Sequence, residues 1–275
     1  MAEQGKSGWF ANGDAYEHYV GRWSRHVGEM FLDWLDLPSG LTWIDVGCGT
    51  GALTETILTL ANPRKVIGVE PSDGFLQVAQ ARVVDDRVEF KSGDAISLPI
   101  EDSTAGAAVS GLVLNFVPDG QSALRELCRV VQPGGTVALY VWDYAGEMQL
   151  MRYFWDAVSA LFPESADLDE GRQFPICDPE ELDLLFRSAT LRSVEVTALD
   201  APTVFAHFDD YWSPFLRGQG PAGAFCASLS ESDQERLRSH LENRVPISSD
   251  GSIHMIARAF AVKLKPRCQT EQSRA

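Results

Sequence analysis

A strand, a glycine-rich turn and a helix follow one another in the stretch TWIDVGCGTGALT, which runs from Thr42 to Thr54. The turn contains Gly47, Gly49 and Gly51, three glycines within five residues. Glycine permits positive φ and a close approach of the backbone to a ligand. The first N–H groups of the helix that follows have no partner in that helix and suit an anionic group. The stretch therefore predicts a ligand-binding turn at the edge of an open α/β sheet.

The glycine pattern by itself fits two kinds of ligand. Gly47, Gly49 and Ala52 satisfy the loose G-x-G-x-x-G/A pattern of dinucleotide sites, which bind an anionic pyrophosphate. Asp45 stands two positions before Gly47, where such sites normally carry an apolar strand residue. A carboxylate there would repel phosphates and attract an ammonium or a sulfonium group. Asp45 therefore favours a sulfonium amino acid, and an NAD-type oxidoreductase is the alternative.

Two further positions predict a nucleoside beyond the glycine turn. Glu70 ends the second predicted strand, KVIGVE, where a carboxylate can accept hydrogen bonds from both ribose hydroxyls. NAD and S-adenosylmethionine sites share that feature, so it does not choose between them. Asp94 and Ala95 follow the third predicted strand, where a short acid can meet an adenine amino group. An ordinary turn is the alternative for this pair.

Short apolar runs alternate with helix-like segments through the first half of the chain, and Ser72 or Asp73 can cap the second predicted helix. The segment QSALRELCRVV is amphipathic, with Leu124, Leu127, Cys128 and Val131 at helical spacing, and QPGG then turns the chain into the fifth predicted strand, TVALYVW. The second half is less regular and contains a helix at DPEELDLLFRSAT, capped by Asp178, and two more strands, at LRSVEVTALD and HMIARAFAVKLKP. Strands that alternate with helices form βαβ units and a parallel sheet. We therefore predict an α/β fold with a Rossmann-like, doubly wound and mostly parallel sheet and helical cap insertions.

The predicted elements group into one domain over residues 1–275, with a core and additional segments. The core covers residues 41–143, 178–200 and 253–265. The additional segments, at 1–40, 144–177 and 201–252, are candidates to lie over the carboxyl edge of the sheet, where open α/β sheets bind their ligands.

Charge and cysteine content exclude several classes of function. The chain has 23 basic and 39 acidic residues and a net charge of −16, which disfavours nucleic acid as a partner because phosphate binding needs a basic surface. The five cysteines form no C-x-x-C pair, and their odd number is typical of reduced thiols in the cytoplasm. We expect no metal site, no membrane span, a cytoplasmic location and a small-molecule partner.

Five sequence stretches resemble those of the class I, Rossmann-like S-adenosylmethionine-dependent methyltransferases, and they occur in the same order as in that family. The resemblance is closest to the ubiquinone and menaquinone biosynthesis methyltransferases, and it covers about Leu41 to Trp142. The stretches, each weak alone, are IDVGCGTG, VIGVEPS, KSGDAISLP, VSGLVLNFVPD and ALRELCRVVQPGGTVAL. The family's fold implies a seventh strand antiparallel to the others, which matches HMIARAFAVKLKP. One departure is Ala107, where many members carry Asp.

The resemblance also implies roles for individual residues toward S-adenosylmethionine. The glycine turn would wrap the methionine part, Glu70 would bind the ribose, and Asp94 with Ala95 would contact the adenine. Ser110 matches a position whose neighbourhood contacts the methionyl group. The residues assigned to the methionine part are Asp45, Gly47, Gly49, Thr50 and Gly51.

The segment YEHYVGRWSRH resembles the cap helix that closes over the cofactor in several members. Tyr16, Tyr19 and Arg22 could offer a hydroxyl or a guanidinium to the methionine carboxylate. The alternative makes them part of an amphipathic helix that packs on the domain, and the sequence leaves both open.

The predicted function is methyl transfer from S-adenosylmethionine to a small-molecule or lipid-like acceptor by in-line displacement. The fourth strand is followed by LNFVPD and not by the N-P-P-Y type that resembles amino-methylating nucleic-acid and protein enzymes. Aromatic residues of the additional segments could line a planar pocket or form the core of a cap. No catalytic base stands out, so an NAD-type oxidoreductase and a non-catalytic cofactor-binding domain are the alternatives.

Overall fold

The computed structural model describes residues 21–189 and 194–266, which divide into two compact units. One, called here the core unit, contains described residues 25–141, 178–189, 194–199 and 260–266. The other, called the aromatic unit, contains described residues 21–24, 142–177 and 200–259.

Seven strands are formed by the described residues, and they make a single sheet. The strands are β1 Thr42–Val46, β2 Lys65–Glu70, β3 Val88–Ser92, β4 Ala105–Gly111, β5 Val131–Trp142, β6 Val194–Phe205 and β7 Ile253–Leu264. The α-helices are α1 Arg22–Leu35, α2 Ala52–Leu60, α3 Asp73–Arg82, α4 Gly120–Val130, α5 Gln149–Leu161, α6 Glu170–Gln173, α7 Pro179–Ala189, α8 Phe208–Trp212, α9 Gly220–Ser228 and α10 Glu231–Glu242.

The strand order, β3-β2-β1-β4-β5-β7-β6, confirms the predicted fold class. The first five strands pair in parallel, and β7 with β6 is antiparallel. From β1 the chain proceeds outward to β2 and β3 on one side and later to β4 and β5 on the other. The strand order therefore reverses beside β1, and an open α/β sheet binds ligands at the carboxyl ends of the strands at such a point.

Local sequence signals explain where the helices begin. The Ser72 hydroxyl accepts a hydrogen bond from the Phe75 N–H at the start of α3, and the Asp178 carboxylate accepts one from the Glu180 N–H at the start of α7. The sequence predicts Ser72 or Asp73 as the cap of α3 and Asp178 as the cap of α7, and the structure confirms Ser72 and Asp178. Helix α4 buries the apolar face that its 3.6-residue period predicts, with Leu124 and Leu127 inside.

The stretch QPGG differs from its prediction as a turn that precedes the fifth strand. Strand β5 already begins at Val131 and continues through these residues. Ala105 pairs with Val131, whereas Ala107 pairs with Thr136, so the register shifts between the two pairs. Gly134, with φ of 84°, accommodates this irregularity. The strand therefore continues through the two glycines of QPGG.

The aromatic unit has a core made largely of rings. Phe154 stacks on Phe215 with 4.4 Å between ring centroids, and Tyr211 meets Phe215 edge-on at 5.5 Å. The Tyr211 hydroxyl donates to the backbone oxygen of Leu150 at 3.0 Å. Within this unit these rings are therefore core residues, each stabilising the fold by roughly 1.5–3 kcal/mol through burial. No helix among the described residues is both long enough and apolar enough to cross a bilayer.

Candidate cofactor site

The three glycines of the turn after β1 all have positive φ, at 72° for Gly47, 54° for Gly49 and 86° for Gly51. A Cβ at Gly47 would lie 2.6 Å from the Val113 methyl carbons, and one at Gly51 would lie 2.9 Å from Val83 Cγ2. A Cβ at Gly49 would meet nothing within 4 Å. Packing therefore requires two of the glycines, whereas Gly49 borders open space.

Hydrogen bonds fix this turn to the end of β2. The N–H groups of Gly47 and Cys48 donate to the Val69 carbonyl at 2.8 and 3.1 Å, and the Gly51 N–H donates to the Cys48 carbonyl. Helix α2 then starts with no side-chain cap. Its first N–H groups are the kind that an anionic group such as a carboxylate can bind.

Glu70 ends β2 beside the turn, as predicted, and only 7% of it is exposed. Its two carboxylate oxygens accept hydrogen bonds from the Gly49 N–H at 3.1 Å and the Ser72 N–H at 3.0 Å. Burial raises the pKa of Glu70, and the two N–H donors oppose that rise. A carboxylate has about four acceptor positions, so Glu70 retains the capacity to bind two hydroxyls.

Asp45 lies in β1 and is 1% exposed. One carboxylate oxygen, Oδ2, accepts a 2.6 Å hydrogen bond from the Thr54 hydroxyl of α2. The other, Oδ1, is buried without a hydrogen-bond partner among the described residues. Burial, and secondarily the charge of Glu70, raises the pKa of Asp45 to about 7. A cation that reaches Oδ1 would satisfy it and favour the charged carboxylate.

Asp94, Ala95 and Ser110 occupy three different settings in the core unit. Asp94 is exposed after β3, where its carboxylate accepts the Ile96 N–H at 2.9 Å, and Ala95 beside it is half-buried. Ser110 is buried in β4, and its hydroxyl donates to the Val46 carbonyl of β1 at 2.8 Å. Ser110 therefore links two strands, an interaction that the sequence pattern did not indicate. Thr50 is half-buried in the turn.

Arg22 lies in the aromatic unit, and its guanidinium is engaged there. Its Nη1 donates to Asp210 at 3.2 Å, and the guanidinium lies over the rings of Trp23 and Phe205 at 4.5 and 4.8 Å. The sequence does not predict Asp210 as the partner of Arg22, because the two residues are 188 positions apart. Tyr19, like Tyr16, lies outside the described residues.

Two residues next to the turn escaped the sequence analysis. Thr54 is within the opening stretch, yet only the packing of α2 on β1 reveals that it binds Asp45. Val113 approaches Gly47 from the turn after β4, and no short-range pattern predicts that contact. Within residues 21–189 and 194–266, no three His, Cys, Asp or Glu side chains gather in a way that could hold a metal ion.

Comparisons with known proteins identify the family to which this sequence and fold belong. The family model described as a methyltransferase domain matches residues 44–139, which contain the glycine turn, Glu70, Asp94 and Ser110. The chain is 31% identical over 175 residues to the demethylmenaquinone methyltransferase of Bacillus licheniformis, covering 58% of this chain and 75% of that protein. It is 29% identical over 186 residues to the enzyme of that name from Lactococcus lactis, covering 62% of this chain and 73% of that protein.

The chain belongs to the class I S-adenosylmethionine-dependent methyltransferases. The phosphoethanolamine N-methyltransferase 2 of Haemonchus contortus, solved with S-adenosyl-L-methionine, has the same fold, with a TM-score of 0.56 and 19% identity. That match covers 92% of this chain and 56% of the other.

The chain is thus a methyltransferase of the ubiquinone and menaquinone type. It uses S-adenosylmethionine to methylate a small-molecule acceptor. The comparisons give no support to an oxidoreductase or to a non-catalytic domain.

Proposed function

We propose that the chain methylates a planar, oxygen-bearing ring of the naphthoquinone class in its reduced form, and that the glycine turn of the core unit holds the cofactor. The observation that carries the cofactor assignment is the pair of buried carboxylates, Asp45 and Glu70, beside the open space at Gly49. The full proposed set is Asp45, Gly47, Gly49, Thr50, Gly51, Glu70, Asp94 and Ala95.

The residues in and beside the turn would each bind one polar part of S-adenosylmethionine. The unpartnered Oδ1 of Asp45 would bind the ammonium, and the first N–H groups of α2 would bind the carboxylate. Glu70 would bind the ribose hydroxyls, and Asp94 with Ala95 would contact the adenine. When bound, the cofactor supplies a methyl group whose bond to the acceptor forms as its carbon–sulfur bond breaks, with the electron pair left on sulfur and the acceptor proton released to water.

The other residues predicted from the sequence have narrower roles in this proposal. Ser110 supports the β1–β4 pair, and its position beside the methionyl end is still a prediction. Tyr19 and Arg22 as ligands of the methionine carboxylate also remain predictions, and Arg22 already has Asp210 as its partner.

A ring acceptor is supported by the names of the relatives. Besides the demethylmenaquinone methyltransferases, the 2-phytyl-1,4-naphtoquinone methyltransferase of Thermosynechococcus vestitus is 34% identical over 113 residues. The net charge of −16 disfavours nucleic acid as an acceptor. A cytoplasmic location, also proposed, is supported by the free thiols of the four described cysteines, Cys48, Cys128, Cys177 and Cys226.

Methyl-labelled S-adenosylmethionine tests the acceptor class directly. The protein is incubated under nitrogen with 1,4-naphthohydroquinone or with phosphoethanolamine, and label in the extracted product is counted. We expect label in the naphthohydroquinone product alone. Label in phosphoethanolamine alone would overturn the ring acceptor, although the methyltransferase would stand. Calorimetry with S-adenosylhomocysteine and with NADH tests the cofactor, and tight binding of NADH alone would overturn the site.

A further inference from the structure

The turn that follows β4 is strained, and its conformation is fixed by neighbours on both sides. Leu112 has φ of 62°, and it is the one apolar side chain among the four described non-glycine residues with positive φ. Such a conformation is rare for a bulky residue and persists only where the surroundings enforce it. The Leu112 N–H donates to the Tyr140 carbonyl of β5 at 2.8 Å. Val113, the next residue, packs onto Gly47.

This strained turn leads into the short 3₁₀ helix Leu114–Phe116, which carries Asn115. The amide nitrogen of Asn115, Nδ2, is buried and has no hydrogen-bond partner in the part of the chain that the structure describes. Buried polar groups are nearly always paired, so an unpaired amide requires an explanation. The residue as a whole is only half-buried, so part of it is accessible at this edge, and a rotation of the side chain would present Nδ2 to a molecule bound there.

Asn115 lies close to the place where the methyl group would be presented. Strand β4 is paired with β1, and the turn after β4 touches the glycine turn after β1 through Val113 and Gly47. Both turns are at the carboxyl ends of their strands, beside the point where the strand order reverses. An amide donor at this position is next to the methionine end of the proposed cofactor site.

We propose that Asn115 donates a hydrogen bond from Nδ2 to an oxygen atom of the acceptor ring, and so selects oxygen-bearing rings. The inference rests on the proposed function, because it requires a ring acceptor and the cofactor in the glycine turn. In the proposed site the polar groups of the cofactor would have other partners: Asp45 for the ammonium, the start of α2 for the carboxylate and Glu70 for the ribose. Asn115 is therefore left for the acceptor.

Two substitutions of similar shape separate this role from a structural one. Asn115→Asp replaces the donor by an acceptor, and Asn115→Leu removes both polar atoms. Because Nδ2 has no partner to lose, neither substitution is expected to lower the unfolding temperature by more than about two degrees, and Asn115→Leu is expected to raise it. Asn243→Asp is the matched control, since its Nδ2 already donates to the Ser239 carbonyl at 2.7 Å.

Binding is measured by equilibrium dialysis of 1-methoxynaphthalene, whose oxygen can only accept a hydrogen bond, and of naphthalene, which has no oxygen, in the presence of S-adenosylhomocysteine. We expect wild type and Asn243→Asp to prefer 1-methoxynaphthalene by roughly tenfold, the worth of one well-made hydrogen bond. Both Asn115 variants should lose that preference while their Kd for S-adenosylhomocysteine stays within twofold of wild type.

Each of the other possible results contradicts one particular step of the proposal. If the Asn115 variants keep the preference for 1-methoxynaphthalene, the inference is wrong and the ring acceptor stands. If they lose affinity for S-adenosylhomocysteine tenfold or more, Asn115 binds the cofactor. If Asn115→Leu lowers the unfolding temperature by five degrees or more, the amide is structural. If wild type binds neither ring and labels no naphthohydroquinone, the proposed function fails, and this inference fails with it.

Discussion

The core unit and the aromatic unit both bury acidic side chains, but the hydrogen-bond partners of these carboxylates differ. In the aromatic unit Asp169 is 5% exposed, and its two oxygens accept hydrogen bonds from Arg152 at 3.2 and 2.8 Å. Glu170 beside it is 3% exposed and accepts a hydrogen bond from the Trp155 indole N–H. In the core unit, Asp45 has one satisfied oxygen and one buried oxygen without a described partner.

The pKa values alone do not separate the two regions. Burial raises the pKa of Glu170 to about 8 and that of Asp45 to about 7. The difference lies in the remaining hydrogen-bonding capacity, because the partners of Asp169 and Glu170 come from the fold itself. Asp45 Oδ1 needs a partner that the described fold does not supply. A buried carboxylate is thus better evidence of a ligand site when its partners are incomplete than when its pKa is shifted.

The largest effect is expected from Gly49→Val. The valine side chain would enter the open space where the cofactor is proposed to lie, and binding of S-adenosylhomocysteine should fall at least a hundredfold in calorimetry. Gly134→Val is the matched control, since Gly134 also has positive φ, at 84°, and open space around its Cβ position. It carries the same backbone strain, about 1–2 kcal/mol, and should bind normally. Equal losses in the two variants would mean that strain, and not the ligand, explains the effect.

Glu70→Gln comes next. The neutral amide retains the shape but loses charge-assisted hydrogen bonds, each worth roughly 1.5–3 kcal/mol, so the Kd for S-adenosylhomocysteine should rise about tenfold to a hundredfold. Glu89→Gln, on β3 and paired with Lys65, is the control and should bind as wild type does. Unchanged affinity in Glu70→Gln would remove Glu70 from the site and reduce it to a link between β2 and the glycine turn.

The pH dependence of cofactor binding should report Asp45. The ammonium prefers the charged carboxylate, and the free protein has an Asp45 pKa of about 7. Affinity for S-adenosylhomocysteine should therefore fall by up to tenfold per pH unit as the pH drops below about 7, and binding near neutral pH should release a proton. Calorimetry in two buffers of different ionisation enthalpy measures that proton. Asp45→Asn should abolish the release; a release that persists in this variant would assign the proton to another group.

Glu170 should affect stability and not binding, so of the four its expected effect on cofactor affinity is the smallest. Its folded pKa of about 8 is above the ordinary value of 4.5, so the stabilisation it provides is complete below about pH 4.5 and is lost as the pH rises through 8. Between these limits the unfolding free energy should fall by about 1.4 kcal/mol per pH unit. Glu170→Gln should flatten that slope in urea titrations and leave the Kd for S-adenosylhomocysteine unchanged, whereas Asp156→Asn, at an exposed position, should keep the slope. Weaker cofactor binding in Glu170→Gln would contradict the assignment of a purely structural role to the buried acid of the aromatic unit.

Signals that act over a few residues allowed much of the fold to be predicted. The caps at Ser72 and Asp178, the apolar period of α4 and the alternation of strands with helices all depend on neighbours within one or two turns. The stretch QPGG was predicted as a turn, yet pairing with β4 draws it into β5. A long-range strand pairing there overrides a local preference.

The sequence by itself determined the glycine turn, the acids at the ends of the first two strands and the order of the elements, because each is encoded by residue type and short spacing. Only the tertiary structure decided which polar atoms have partners. Glu70 meets the Gly49 N–H across 21 residues, Ser110 meets Val46 across 64, and Arg22 meets Asp210 across 188. Sheet order and helix packing set those contacts, and the same geometry leaves Asp45 Oδ1 and Asn115 Nδ2 buried and without a described partner. An unmet hydrogen bond is a property of the packed chain, so residue types and their spacing do not reveal it.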